Sequence, residues 1–217
     1  EPRRIMDELH RLADQGFQEI VLTGIHLGGY GADLKSPTNL HRLLTTIEER
    51  QPAPRIRLSS LDPHEISPEL LRLVAESETI CPHLHIPLQW GNDLVLKRMR
   101  RRYDTSLARN VLEDVRQALP DAAIGTDLIV GFPGEGDQEF ESGLNFLKSS
   151  PFTYFHVFPY SVRNGTTAAK LSDRVPSEEI RRRAHTVRSL GEEKKQCFTQ
   201  QFVGRTLPVL FENSRDT

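Results

Sequence analysis

The stretch from Ile124 to Glu135, IGTDLIVGFPGE, constrains most tightly what this chain can fold into. Apolar side chains fill most of Ile124 to Val130, as in a strand buried on both faces, and Gly131, Pro133 and Gly134 then force a sharp exit. Asp137 to Ser149 follows with helical spacing, so the unit is strand, glycine corner, helix. In open α/β sheets and in barrels, ligands sit at the C-terminal ends of the strands, where such a corner brings backbone N–H groups close to a bound molecule. Gly131 to Glu135 is therefore a candidate ligand site, although the same glycines also serve a plain tight turn.

The unit recurs along the chain. Ile5, Leu9, Leu12 and Ala13 give Arg4 to Gln15 helical spacing, ended by Gly16. Glu19 to Thr23 reads as a short strand, and the loop from Gly24 to Ser36 holds four glycines among His26, Tyr30 and Asp33. Asn39 to Arg50 is an amphipathic helix broken by Pro52 and Pro54, and Arg55 to Ser59 is the next strand. Ser67 caps a helix with Pro68 at its first position, running to about Ser77. His83 to Leu88 reads as a strand, Asn92 to Arg100 and Ser106 to Leu119 as helices, and Ala123 to Val130 and Tyr154 to Tyr160 as strands. A long charged helix runs from Pro176 and Ser177 to about Phe202, and Gly204 to Phe211 reads as an isolated strand.

Strands alternating with helices imply parallel pairing and right-handed crossovers, hence a barrel or a doubly wound sheet. The leading helix has no strand before it, so a first strand and its loop are expected upstream of Glu1, and the chain, which lacks an initiator Met, reads as a piece of something longer. The trailing strand is expected to begin a separate C-terminal domain. A hydrophobic content of 37% over 217 residues supports a real core. With 28 basic and 30 acidic side chains the net charge is -2, which excludes a global pull toward nucleic acid and leaves only local basic surface. Cys81 and Cys197 match neither a disulfide framework nor a metal knuckle, which fits a reducing compartment. No apolar run approaches the roughly 18 residues needed to span a bilayer, and no signal peptide is visible.

If the five strands are parallel, their C-terminal ends are Gly24-Ile25-His26, Ser59-Ser60, Gln89-Trp90-Gly91, Gly131-Phe132-Pro133 and Pro159-Tyr160-Ser161. Small or polar residues at all five ends place one polar rim on one face, although strands commonly terminate this way. His83 and His85 share a strand face, as metal ligands can, and His26, His64 and His156 are candidates to join them. A metal site needs carboxylates or cysteines converging with them, so they are read as hydrogen-bonding groups and no metal ligand is assigned. Lys97, Arg98, Arg100, Arg101 and Arg102 crowd beside Tyr103, as either a solvated face or a phosphate-binding patch. Arg181, Arg182 and Arg183 lie on an evenly charged helix and are expected to stay in water.

Five segments carry a resemblance that spans nearly the whole chain: TGIHLGGYG (Thr23 to Gly31), RIRLSSLDP (Arg55 to Pro63), HLHIPLQWGNDLVLKRMRRRY (His83 to Tyr103), TDLIVGFPGE (Thr126 to Glu135) and HVFPYSVRNGTTAA (His156 to Ala169). In order and in spacing they resemble the radical S-adenosylmethionine methylthiotransferases, and the GIHLGGYG and LKRMRR wording is most similar to the branch that modifies threonylcarbamoyladenosine beside the tRNA anticodon. Relatives of that branch act on isopentenyladenosine in tRNA or on an aspartate of a ribosomal protein. The resemblance implies a partial TIM barrel truncated at both ends, with residues 1–202 forming the barrel without its first strand and 203–217 beginning a C-terminal TRAM domain. The CxxxCxxC motif that holds the radical [4Fe-4S] cluster follows the first strand in this family and does not occur among the 217 residues.

The resemblance further implies a cytoplasmic enzyme that uses S-adenosylmethionine, two [4Fe-4S] clusters and a reductant such as flavodoxin or ferredoxin, with tRNA as substrate and no membrane. One cofactor molecule methylates a sulfide on the auxiliary cluster, and a second is cleaved to a radical that activates the substrate C–H bond. By position, Gly24, His26, Ser59, Ser60, Gln89, Asp127, Ile129, Gly131, Phe158 and Tyr160 match cofactor-binding segments, and Lys97, Arg98, Arg100, Arg101 and Arg102 fall to RNA binding. No catalytic residue is assigned. The family usually has serine after the glutamine, and Trp90 in its place is expected to crowd the cofactor or turn toward substrate. Two other classes stay open on the residues alone: a metal-dependent or phosphate-binding barrel hydrolase or aldolase using the histidines, and a non-catalytic RNA-binding module using Lys97 to Arg102.

Overall fold

The computed structural model describes residues 1–35 and 37–211. Its framework is five parallel strands, β1 (Ile20–Leu22), β2 (Ile56–Leu58), β3 (His83–His85), β4 (Ala123–Val130) and β5 (Tyr154–Pro159). β1 pairs with β2 from Ile20↔Ile56, β3 with β4 from His83↔Ala123, and β4 with β5 from Gly125↔Tyr154. Single bridges, Ile56↔Ile80 and Ser60↔His85, join the two groups. The strands therefore stand in chain order. A doubly wound sheet reverses order part-way, so unbroken order marks the wall of a barrel, and it is not closed among the described residues.

Parallel neighbours need crossovers, supplied by α2 (Leu40–Arg50), α3 (Pro68–Glu76), a pair α4 (Asp93–Arg98) and α5 (Thr105–Ala118), and α6 (Asp137–Ser149). A further helix α0 (Pro2–Asp14) leads the chain, and α7 (Ser177–Gln200) follows β5. The helix starts are encoded locally: side chains of Asn39, Ser67, Asn92 and Asp104 accept backbone N–H groups of the first turns, each cap stabilising by about 1 kcal/mol. Between helices and sheet lie Leu44, Ile47, Ile56, Leu58, Leu84, Leu112, Val115, Ile124, Leu128 and Leu147, all essentially buried. Each contributes roughly 1.5–3 kcal/mol by leaving water.

Strand period decides the other face. Along β4, Ile124, Thr126, Leu128 and Val130 are buried, whereas Asp127 and Ile129 are only partly so. The strand is thus buried against helices on one side and lines an open concave face on the other, which corrects the expectation of burial on both faces. A Cβ at Gly125 would sit 2.1 Å from the Tyr154 ring, so glycine there lets Tyr154 lie across the concave face.

β3 stops at His85 rather than Leu88. Pro87 has no N–H for a ladder, and Gln89 takes a left-handed φ of 69°. Pairing resumes at Gln89, whose N–H donates to Asp127 O at 2.9 Å and whose carbonyl accepts from Ile129 N at 2.8 Å. The strand expected from Gly204 to Phe211 does not form; residues 205–211 run as irregular chain, and 212–217 lie outside the described residues. Among the described residues no helix is long and apolar enough to cross a membrane.

Candidate functional site

The C-terminal strand ends gather Gln89, Asp127, Ile129, Phe158, Tyr160 and Arg163 around a cleft of about 420 Å³. Its walls are mainly apolar, with an amide, a carboxylate and a phenol converging, the usual make-up of a small-molecule site. Gln89 is buried and its backbone is held by two hydrogen bonds to β4 in spite of its unfavourable φ. Tyr160 donates its backbone N–H to Val130 O at 2.8 Å and packs edge-on against Phe132. Among the described residues the Tyr160 and Ser59 hydroxyls are buried without hydrogen-bond partners, which marks positions where a bound molecule can supply them.

Beneath the cleft lies a polar layer. Asp127 is opposite His156 across β4 and β5, and His85 lies one level lower on β3. His85 Nε2 is 3.2 Å and His156 Nδ1 3.1 Å from the same Asp127 oxygen, Oδ1. Partial burial raises the Asp127 carboxyl, but the two histidines outweigh it and hold it below its ordinary value. Lower still, His83 Nε2 meets the Tyr154 hydroxyl at 2.7 Å. Burial, with Arg57 and His85 nearby, lowers His83 to about 4, so this ring is neutral at physiological pH.

The remaining rim residues are placed around the cleft rather than in it. His26 pairs with Glu65, and its ring sits where a Cβ at Gly29 would be. Gly24 is exposed, Ser59 N–H donates to Leu22 O, and Ser60 is exposed beside its bridge to His85. Gly131, at φ 80°, directs its N–H to Glu135 Oε2 at 3.0 Å and its Cα toward Ile180. The glycine corner spends that N–H internally.

Two sequence expectations are corrected. Trp90 neither crowds the cleft nor turns outward: it is fully buried against α6, stacked on Phe140, with its indole N–H donating to Glu139 O at 3.3 Å. Gly143 makes the room, since a Cβ there would be 2.5 Å from the indole. Arg183 does not stay in water. It is 3% exposed and donates to Glu135, Asp137 and Glu179, while Arg181 and Arg182 remain exposed as expected. Burial pushes Glu135 up to about 7 against the opposing Arg183 and Gly131 donors. A larger groove of about 1090 Å³ runs beside this network, where Arg183 pairs with Glu135 and Glu179, and Arg98 with Asp173.

Of the basic run, Arg98 pairs with Asp173 at 3.1 Å, Lys97, Arg100 and Arg102 are exposed or nearly so, and Arg101 is partly buried with Nε lacking a partner. Cys81 is buried, its thiol 3.5 Å from Glu19, and Cys197 is exposed on α7. Sequence reasoning named Asp127, and separately His85 and His156 among the histidines, but did not bring the three together. The histidines' period on β3 and β5 was visible; the register that unites the three was not.

A parallel barrel wall with a ligand cleft at its C-terminal rim defines the class, and comparison with known proteins gives the family. The model of the radical SAM superfamily matches residues 1–147, and the chain belongs to that family. Over 99% of its length it is 39% identical to the threonylcarbamoyladenosine tRNA methylthiotransferase MtaB of Bacillus subtilis (strain 168), of which it covers 48%. It is 35% identical over 97% of its length to the tRNA-2-methylthio-N(6)-dimethylallyladenosine synthase of Corynebacterium glutamicum (strain ATCC 13032), covering 42% of that protein. The chain thus spans about half the length of the curated relatives it matches. Among solved structures, coproporphyrinogen III oxidase (HemN) from Escherichia coli, a radical SAM enzyme, shares the fold with a TM-score of 0.59 at 17% identity, covering 92% of this chain and 46% of that one. The resemblance read from the motifs, and the partial barrel it implied, are borne out.

Proposed function

We propose that the chain is the barrel of a radical SAM tRNA methylthiotransferase that places a methylthio group on threonylcarbamoyladenosine beside the anticodon. The observation that carries this reading is 39% identity to MtaB across 99% of the chain. The cleft supports it: Ile129, Phe158 and Tyr160 offer apolar and aromatic walls for an adenine, Gln89 and Asp127 offer polar contacts, and Tyr160 has a hydroxyl to spare, as does Ser59 on the rim. Gly24, His26, Ser60 and Gly131 act as the surrounding rim. When bound and reduced, S-adenosylmethionine with its [4Fe-4S] cluster supplies hydrogen-atom abstraction from an unactivated C–H bond.

The residues of this chain bind and orient that cofactor and keep water from the reacting end, because a dry wall prevents side reactions. They do not fit a cluster. Only two cysteines are present, one buried beside Glu19 and one on the outer helix, so the iron ligands belong to other parts of the full protein. Lys97, Arg98, Arg100, Arg101 and Arg102 contact tRNA phosphates, residues 203–217 open a TRAM domain, and a cytoplasmic flavodoxin or ferredoxin supplies electrons.

The test is anaerobic iron reconstitution of the full protein, followed by incubation with tRNA lacking methylthio groups and mass spectrometry of the nucleosides. The expected product is the 2-methylthio derivative of threonylcarbamoyladenosine, reduced at least about tenfold in Tyr160→Phe or Gln89→Ala. Product only on isopentenyladenosine would move the protein to the other branch, and none on either would overturn the reading.

A further inference from the structure

Asp127, already a polar contact in the cleft, also anchors a cluster on the concave face whose two histidines the cofactor reading does not use. His85, Asp127 and His156 come from three adjacent strands, and their ligand atoms all lie within 4.8 Å of one another. Both imidazole nitrogens approach one carboxylate oxygen, at 3.2 and 3.1 Å. Ligands on a tetrahedral ion with bonds of about 2.0–2.1 Å stand roughly 3.3 Å apart, so these separations already match edges of a coordination polyhedron. Hydrogen bonding alone would require both rings to hold their protons toward the same oxygen. With the protons on the opposite nitrogens, each ring instead has a lone pair to give to a cation shared with the carboxylate.

We propose that His85, Asp127 and His156 form a binding site for a divalent transition cation. Two imidazoles and a carboxylate suit Zn²⁺, Co²⁺, Ni²⁺ or Fe²⁺ and disfavour the all-oxygen cations Mg²⁺ and Ca²⁺. Asp127 also borders the cleft, so the remaining coordination position faces the bound molecule and takes water or a polar atom of the ligand. Tyr154, whose ring lies against both histidines, closes the site from below.

The chain, stripped of metal with EDTA and desalted, is titrated with Co²⁺ and followed by visible absorption, with no nucleoside or cluster present, so the outcome is independent of the cofactor reading. One equivalent should give the intense d–d bands of a four-coordinate nitrogen and oxygen site. Asp127→Asn and His156→Ala should weaken binding at least about tenfold, while His10→Gln, on the outer face of the leading helix, should leave it unchanged. His156 is exposed, so its replacement spares the core. The absence of such bands, or bands that persist undiminished in His156→Ala, would overturn the proposal.

Discussion

Trp90 fills a slot that Gly143 leaves open, and the two residues are 53 positions apart yet depend on each other for volume. Packed interiors have little spare room, and an added methyl must displace something. Gly143→Ala should therefore destabilise the protein by about 1–3 kcal/mol. Urea unfolding followed by the emission of Trp90, the sole tryptophan, measures this directly. The sequence showed an indole after the strand-end glutamine, but which way the ring points is decided by a glycine on another element. Strand ends alone pointed to Gln89 and Tyr160; Asp127, Ile129 and Phe158 came only with the family resemblance, and neither route separated the residues that line the cleft from rim neighbours such as Ser60 and Gly131.

At the scale of elements, Arg183 ties α7 to the corner after β4. Its guanidinium reaches Glu135 Oε1 at 3.0 Å, the Glu135 carbonyl at 2.6 Å and Asp137 at 2.7 Å. Removing one partner of a buried pair strands the other, at a cost of about 3–5 kcal/mol. Arg183→Met should lose that amount in thermal or urea unfolding, and Arg183→Met with Glu135→Gln should regain part of it, because no charge is then left buried. A regular charge pattern along α7 concealed this tie. Glu179 sits four positions before Arg183 on the same helix, but Glu135 and Asp137 lie 48 and 46 positions earlier, and no local spacing rule joins those to it. The helix start at Ser67 was legible for the opposite reason, since its side chain acts on a backbone group three residues on; the Asn39 and Asp104 caps are equally local, and the sequence reading passed over them as caps.

For the molecule as a whole, the alternation of strands and helices revealed the architecture, and the unbroken strand order selected barrel over doubly wound sheet. Acid stability depends partly on the first two strands. Burial alone would raise the Glu19 carboxyl, but Arg57 and Arg55 hold it at about 2. A carboxyl lowered from 4.5 on folding stabilises above that value and loses its contribution as pH falls toward 2. Glu19→Gln should accordingly be less stable than the parent at pH 7, with the gap closing as pH falls through this window, as urea unfolding across a pH series would show. A last consequence belongs to Gln89, whose backbone is bent into a shape that glycine would accept with ease. Selection for sturdiness alone would favour replacing it and would discard the amide at the mouth of the cleft, so a tougher variant at this site need not be a more capable one.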